Sequence, residues 1–282
     1  MRPTSATTLI LLCIYLCTLS FITSADQRFA LIIGNKDYAS APLANTLNDA
    51  RDIDEALTSL GFITQKQENI EAGEIESSVD SFFDMVRKER EENAVILIYY
   101  AGHAIQVDSR NYLVGIKNPL GSANASRGLK IKPSGGTDDY RELGLYDIHH
   151  LLSALPSDES VQSFILLDAC RNNPFKSLEG EQAVNIDSGL APMRAPPGTL
   201  IGYATEPGNY AADGRGRNGV YTKHLLRHID KMITVEELFK MVRQGVIAET
   251  KKRQIPWEHS SLFEDVFMNP PRNKQVPDLM TF

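Results

Sequence analysis

The chain has 282 residues, a formal net charge of −7 and a hydrophobic fraction of 42%. An acidic balance of this kind argues against a nucleic-acid-binding role and suits cationic partners. No Cys-x-x-Cys or His-Glu-x-x-His run is present to suggest a metal centre.

Residues 1–25 carry a single charge, Arg2, and Leu9 to Ile22 is an apolar run broken only by Thr18 and Ser20 beside Cys13 and Cys17. Thr23-Ser24-Ala25 offers small residues suited to cleavage before Asp26, so the segment reads as a secretory signal. The alternative is an uncleaved membrane anchor, for which the run is short against a span of roughly 20 residues. The expected organisation is a signal peptide over 1–25, one domain over 26–268 and a tail over 269–282. The protein is expected to be exported, periplasmic or secreted. No later stretch is apolar enough to cross a bilayer, so the remainder is expected to be soluble.

The runs Phe29–Ile33, Ala94–Tyr100, Phe164–Leu167 and Thr199–Tyr203 do not alternate with polar residues. Such runs predict strands buried on both faces of a parallel sheet. Helical spacing separates them. Leu47, Ala50, Ile53, Leu57 and Leu60 form one stripe, with Gly61 as a stop signal. Ile75, Val79, Phe82, Phe83 and Val86 form a second, and Leu145, Ile148, Leu151, Leu152 and Leu155 a third, stopped by Pro156. Thr234-Val-Glu-Glu237 is a capping box before Val235, Leu238, Phe239, Val242 and Val246. The alternation predicts an α/β fold with a mostly parallel sheet covered on both faces. Lys117 to Arg141 and Asn172 to Gly198 read as long irregular loops, usually functional or disordered at such length. Asn124-Ala-Ser126 matches a glycosylation acceptor, a three-residue pattern common by chance.

Loss of Cys13 and Cys17 with the signal would leave Cys170 as the one thiol, which is then either inert and buried or reactive. Functional groups in open α/β sheets collect beyond the carboxyl ends of the strands. Two such ends are chemically loaded: Ile98-Tyr-Tyr-Ala-Gly-His103-Ala104 and Leu166-Leu-Asp168-Ala-Cys170-Arg171. If the two strands are neighbours, His103 and Cys170 meet at the sheet edge, and an imidazole near a thiol favours the nucleophilic thiolate. His149, His150, His224, His228 and His259 lack a strand-end setting and read as ordinary hydrogen-bonding histidines. A nucleotide-binding reading of the strand ending at Gly34 finds no Gly-x-Gly-x-x-Gly or phosphate loop.

These residues carry a family resemblance. The pattern begins with Ala30-Leu-Ile-Ile-Gly-Asn35, Tyr38, Pro42-Leu43 and Asn48-Asp49-Ala50. It continues through Tyr99-Tyr-Ala-Gly-His103 and Asp168-Ala-Cys-Arg171. It closes with Gly202-Tyr-Ala-Thr-Glu-Pro-Gly208, Asn218-Gly219, Gln254-Ile-Pro-Trp257 and Ser260-Ser-Leu262. The chain resembles the caspase–metacaspase–paracaspase group of cysteine peptidases, nearest its bacterial orthocaspase-type members. The resemblance implies a caspase-like three-layer sandwich.

It also implies a Cys170–His103 dyad working through an acyl-enzyme, with the backbone N–H groups of Cys170 and Ala104 as oxyanion donors. The family usually has glycine at the Ala104 position. By the same resemblance Asp168 stands where Asp-cutting caspases have a pocket glutamine, Asp213 where they have an arginine, and Asp49 at an acidic pocket residue of the metacaspase and paracaspase branches. Glu206 is the substitute if Asp213 is misplaced. Three carboxylates around one slot would bind Arg or Lys and repel Asp. The expected activity is therefore endopeptidase cleavage after basic residues of peptide or protein substrates. The alternative is a catalytically silent fold that binds peptides or proteins. No cofactor is required by the sequence. Calcium, used by several metacaspase relatives, would have the Asp138-Asp139 pair as its candidate ligands. Lys176 and Arg194 are candidate self-cleavage points. A monomer is expected from the branch resembled.

Overall fold

Strand β1 (Gln27–Gly34) shows how the sequence builds two cores at once. Its apolar run does not alternate because both faces are covered. Phe29, Leu31 and Ile33 enter one apolar cluster, and Ala30 and Ile32 enter another on the opposite side. The same division holds in β3 (Ala94–Ala101), where Ile96, Ile98 and Tyr100 face one way and Val95, Leu97 and Tyr99 the other. Each fully buried side chain of this type contributes about 1.5–3 kcal/mol. The computed structural model describes residues 26–39, 41–107, 109–118, 143–169, 186–187 and 189–271. The signal-like segment, Cys170, Asp138-Asp139, Lys176 and Asn124 lie outside them.

The main sheet adds β2 (Ile63–Glu68), β7 (Val161–Asp168), β9 (Thr199–Tyr203) and β10 (Trp257–Ser260), in the order β10-β9-β7-β3-β1-β2. All neighbours run parallel except β10, which is antiparallel to β9 at the edge. Helices α2 (Ala72–Glu89) and α3 (Ile148–Ala154) supply residues to the first cluster. Helices α1 (Thr46–Ser59), α4 (Val220–Leu226) and α5 (Val235–Thr250) supply the second. The predicted three-layer α/β architecture is therefore present. A small antiparallel sheet, order β6-β5-β4-β8, joins β4 (Ala104–Val107), β5 (Arg110–Val114), β6 (Leu145–Asp147) and β8 (Ile186–Asp187).

Local signals set the helix ends. The Thr234 side chain accepts from the Glu237 N–H at 3.3 Å, as the capping pattern predicts. Gly61 takes a left-handed φ of +83° after α1. A second capping box, Glu71 with Glu74, opens α2 although it lacks the usual Ser or Thr.

Two expectations need correction. Leu145 is not helical: it pairs with Val114 in β6, and the helix starts only after Asp147, whose carboxylate accepts from the His149 N–H at 2.9 Å. The stretch before Gly198 is not loose along its whole length. Leu190, Met193 and Ala195 are buried in the first cluster. Arg28, buried in β1, donates to the carbonyls of Phe267 (3.0 Å) and Met268 and lies 5.3 Å from the Phe62 ring, tying the segment after β10 to the first strand.

Candidate active site

β3 and β7 are parallel neighbours with Ala101 opposite Asp168. That register sends two chain segments off the same sheet edge. One is Gly102-His103, leading into β4, and the other is Ala169, leading to Cys170. The neighbour relation expected for the two loaded strand ends is thus present.

His103 is held from three sides. Its N–H donates to the Tyr38 hydroxyl at 2.9 Å, and its carbonyl accepts from the Tyr100 hydroxyl at 2.8 Å and the Val114 N–H at 3.0 Å. The Tyr38 ring packs on the imidazole at 4.4 Å between centroids. Nε2 lies 2.7 Å from the Ala41 carbonyl, and a carbonyl oxygen only accepts, so Nε2 carries the ring proton. Nδ1 is then the basic nitrogen of the neutral ring. Burial pushes the Tyr100 phenol well above its ordinary pKa, which keeps that hydroxyl neutral and able to donate. Gly102 is required by space: a Cβ there would stand 2.5 Å from the Tyr100 hydroxyl and 2.7 Å from that of Tyr38. The tyrosine platform was not anticipated, although Tyr38 and the Tyr99-Tyr100 pair were visible in the matching blocks.

Ala104 opens β4 opposite Leu113, with its methyl in the first apolar cluster. It is not among the described residues of positive φ, so alanine is accommodated there without backbone strain.

Asp49 and Asp168 both bind the start of α4, and the Asp213 backbone lies a few residues before it. Asp49, wholly buried on α1, accepts the Gly219 N–H at 2.9 Å. Asp168, 1% exposed, accepts from the Thr222 hydroxyl at 2.6 Å, and Thr222 is shared with the Tyr99 hydroxyl. Asp213 is half-buried, and its carbonyl accepts from the Asn45 side chain just before α1. Burial, and then the field of Asp168, push the Tyr221 phenol far above its ordinary pKa. Glu206 does a different job. Burial pushes its carboxyl up, but donors on Asn209, Thr205 and the Ile255 backbone outweigh that and hold it below its ordinary value. It ties a turn to the segment before β10.

Other candidates separate clearly. The Arg194 side chain is exposed, but its flanking backbone is anchored. The Met193 N–H donates to the Tyr203 hydroxyl at 3.0 Å, and the Met193 carbonyl accepts from His259 Nδ1 at 2.8 Å. A bond so fixed is a poor proteolytic target until the segment opens. Asn111 adds a staple by exchanging two 2.8 Å hydrogen bonds with the Ala191 backbone. Among the described residues, no group of three or more His, Cys, Asp or Glu could hold a metal ion, and no helix is long and apolar enough to cross a membrane.

Comparison with protein families finds a match over residues 27–267 to the family described as the caspase domain. The chain belongs to the caspase-domain peptidase family. Comparison with curated proteins finds no matching relative. The caspase-domain match runs from β1 to Phe267, the residue held by Arg28, so it takes in both sheets and the segments that carry His103, Asp49, Asp168 and Asp213.

Proposed function

We propose that the protein is an exported cysteine endopeptidase that cleaves after Arg or Lys, with Cys170 as nucleophile and His103 as its proton partner. One observation carries the reading: the β3–β7 register, with Ala101 opposite Asp168, in a caspase-domain chain whose sequence puts His103 two residues past one strand end and Cys170 two past the other. His103, protonated on Nε2, uses Nδ1 to take the thiol proton. The Cys170 thiolate attacks the scissile carbonyl, and the oxyanion that forms is stabilised by the backbone N–H groups of Cys170 and Ala104. His103 returns the proton to the leaving amine as the C–N bond breaks and a thioester remains. Water, deprotonated by His103, then releases the acid and restores the thiol.

Selectivity follows from Asp49, Asp168 and Asp213 around the start of α4. A guanidinium entering there meets buried carboxylates, and an aspartate side chain is repelled by them. Export rests on the composition of residues 1–25, and a monomer is the proposed form. The test is hydrolysis of matched fluorogenic peptides ending in Arg or Asp, with calcium and with chelator. Turnover of the Arg peptide alone, abolished in Cys170→Ala, supports the reading. Folded protein that turns over neither peptide under both conditions overturns it in favour of a silent binding module.

A further inference from the structure

The carboxylates do not stand alone on α1. Asp52, one turn beyond Asp49, holds the loop that runs into α4. It accepts from Arg217 Nε at 2.8 Å and Arg217 Nη2 at 2.7 Å, and its Oδ2 also accepts from the Asn218 side chain at 2.8 Å. Asn48 adds a bond to the Arg217 carbonyl at 3.1 Å. Asn218 is followed by Gly219, whose N–H is the one that reaches Asp49, and three residues later Thr222 reaches Asp168. Asn45, Asn48, Asp49 and Asp52 repeat at three- and four-residue intervals, so one side of the helix start grips residues 213–219. The bidentate Arg217–Asp52 contact is the directional part of this grip. The neighbouring Gly214 turns at a φ of +73°, so the segment depends on its anchors for its course.

We propose that Asp52 is a positioning residue for the basic-residue pocket: through Arg217 and Asn218 it sets where Gly219 and the first turn of α4 hold Asp49 and Asp168. This rests on the proposed specificity for Arg and Lys. It assigns Asp52 no contact with substrate. It also engages Arg217, whose guanidinium lies within the field of Asp49.

Two measurements on the full-length protein test it. Amide hydrogen exchange reads the grip directly and needs no activity. Asp52→Ala should speed exchange at Gly219 and across 213–222 by about tenfold, with the β1 and β3 amides unchanged. The second reads the pocket through hydrolysis of an Arg peptide. Asp52→Ala should raise KM by about five- to tenfold with kcat within about twofold, Asp52→Glu should restore part of the loss, and Asp52→Ala/Arg217→Ala should stay as impaired as Asp52→Ala alone. Wild-type exchange at Gly219 in Asp52→Ala overturns the proposal whatever the activity. Faster exchange with an unchanged KM overturns the link to the pocket alone. A double variant that recovers wild-type KM would mean that Asp52 only restrains Arg217, and also overturns it. If the wild-type enzyme cleaves no Arg peptide, agmatine binding by calorimetry replaces KM. No agmatine binding to wild type refutes the specificity on which the proposal rests, and equal binding by wild type and Asp52→Ala refutes the proposal.

Discussion

Asp168 is proposed to bind the basic side chain of the substrate, a role that a substitution can separate from the reactivity of Cys170. It is nearly sealed from water, bonded to Thr222, and two residues before the proposed nucleophile. A buried carboxylate that pairs with a guanidinium is worth roughly 2–5 kcal/mol when truncated. Asp168→Ala should therefore lower kcat/KM for an Arg peptide by about a hundredfold or more, while Cys170 still reacts with iodoacetamide at a rate within a few fold of wild type. Unchanged Arg cleavage in this variant would remove Asp168 from the pocket. Asp49 shows why such roles are hard to read singly. An acid in the first turn of a helix is ordinarily a partner for the helix dipole. Here it instead reaches across to the Gly219 N–H, a contact between residues 170 positions apart that no local pattern encodes.

Among the elements, the α4–α5 pair gives the pH dependence. Gly245 sits inside α5, where glycine costs about 0.5–1 kcal/mol relative to alanine. The cost is explained by His224, since a Cβ on Gly245 would stand 2.2 Å from its Nδ1. Burial lowers the His224 pKa, against the opposing pull of Glu249 at 2.9 Å and with help from nearby Arg227 and Lys223. Burial also lowers that of His228, on the same turn region, with Lys231 and Arg227 adding to it.

Both rings are therefore neutral in the folded state at pH values where the unfolded chain begins to bind protons. The stability they contribute is complete above the ordinary histidine value of about 6.5 and declines as pH falls below it toward the depressed folded values. Melting temperature should fall between pH 7.5 and pH 5.0, and the fall should be smaller in His224→Gln. An equal fall in that variant would assign the acid sensitivity elsewhere. Sequence spacing found the stripe of α5 and its Thr234 cap, because both are local. It read His224 as ordinary, because the matching gap at Gly245 lies on another helix.

For the molecule as a whole, the long buried strands were legible because a central parallel strand must be apolar on both faces. β1, β3, β7 and β9 all follow that rule. The edge strands β2 and β10 and the small sheet were not anticipated. Ile-Thr-Gln-Lys-Gln-Glu in β2 has no fully buried residue, and Trp257–Ser260, exposed or half-buried throughout, pairs with β9 on one side only. Leu145 reads as helical because four apolar residues at helical spacing follow it, while its strand partner Val114 is distant in sequence. Of the site, His103 and the Asp168 strand end were legible from their position after apolar runs. The Tyr38–Tyr100 platform and the Asp52 grip arise from tertiary contact and were not. In the proposed function Cys170 is a nucleophile served by a slot for basic side chains. That role is tested most directly by intact-mass analysis after treatment with a peptidyl acyloxymethyl ketone ending in Arg, beside its Asp counterpart. The Arg reagent should give a single adduct, mapped to Cys170 and absent in Cys170→Ala, with little from the Asp reagent. Equal labelling by both reagents, or an adduct at another residue, would contradict it.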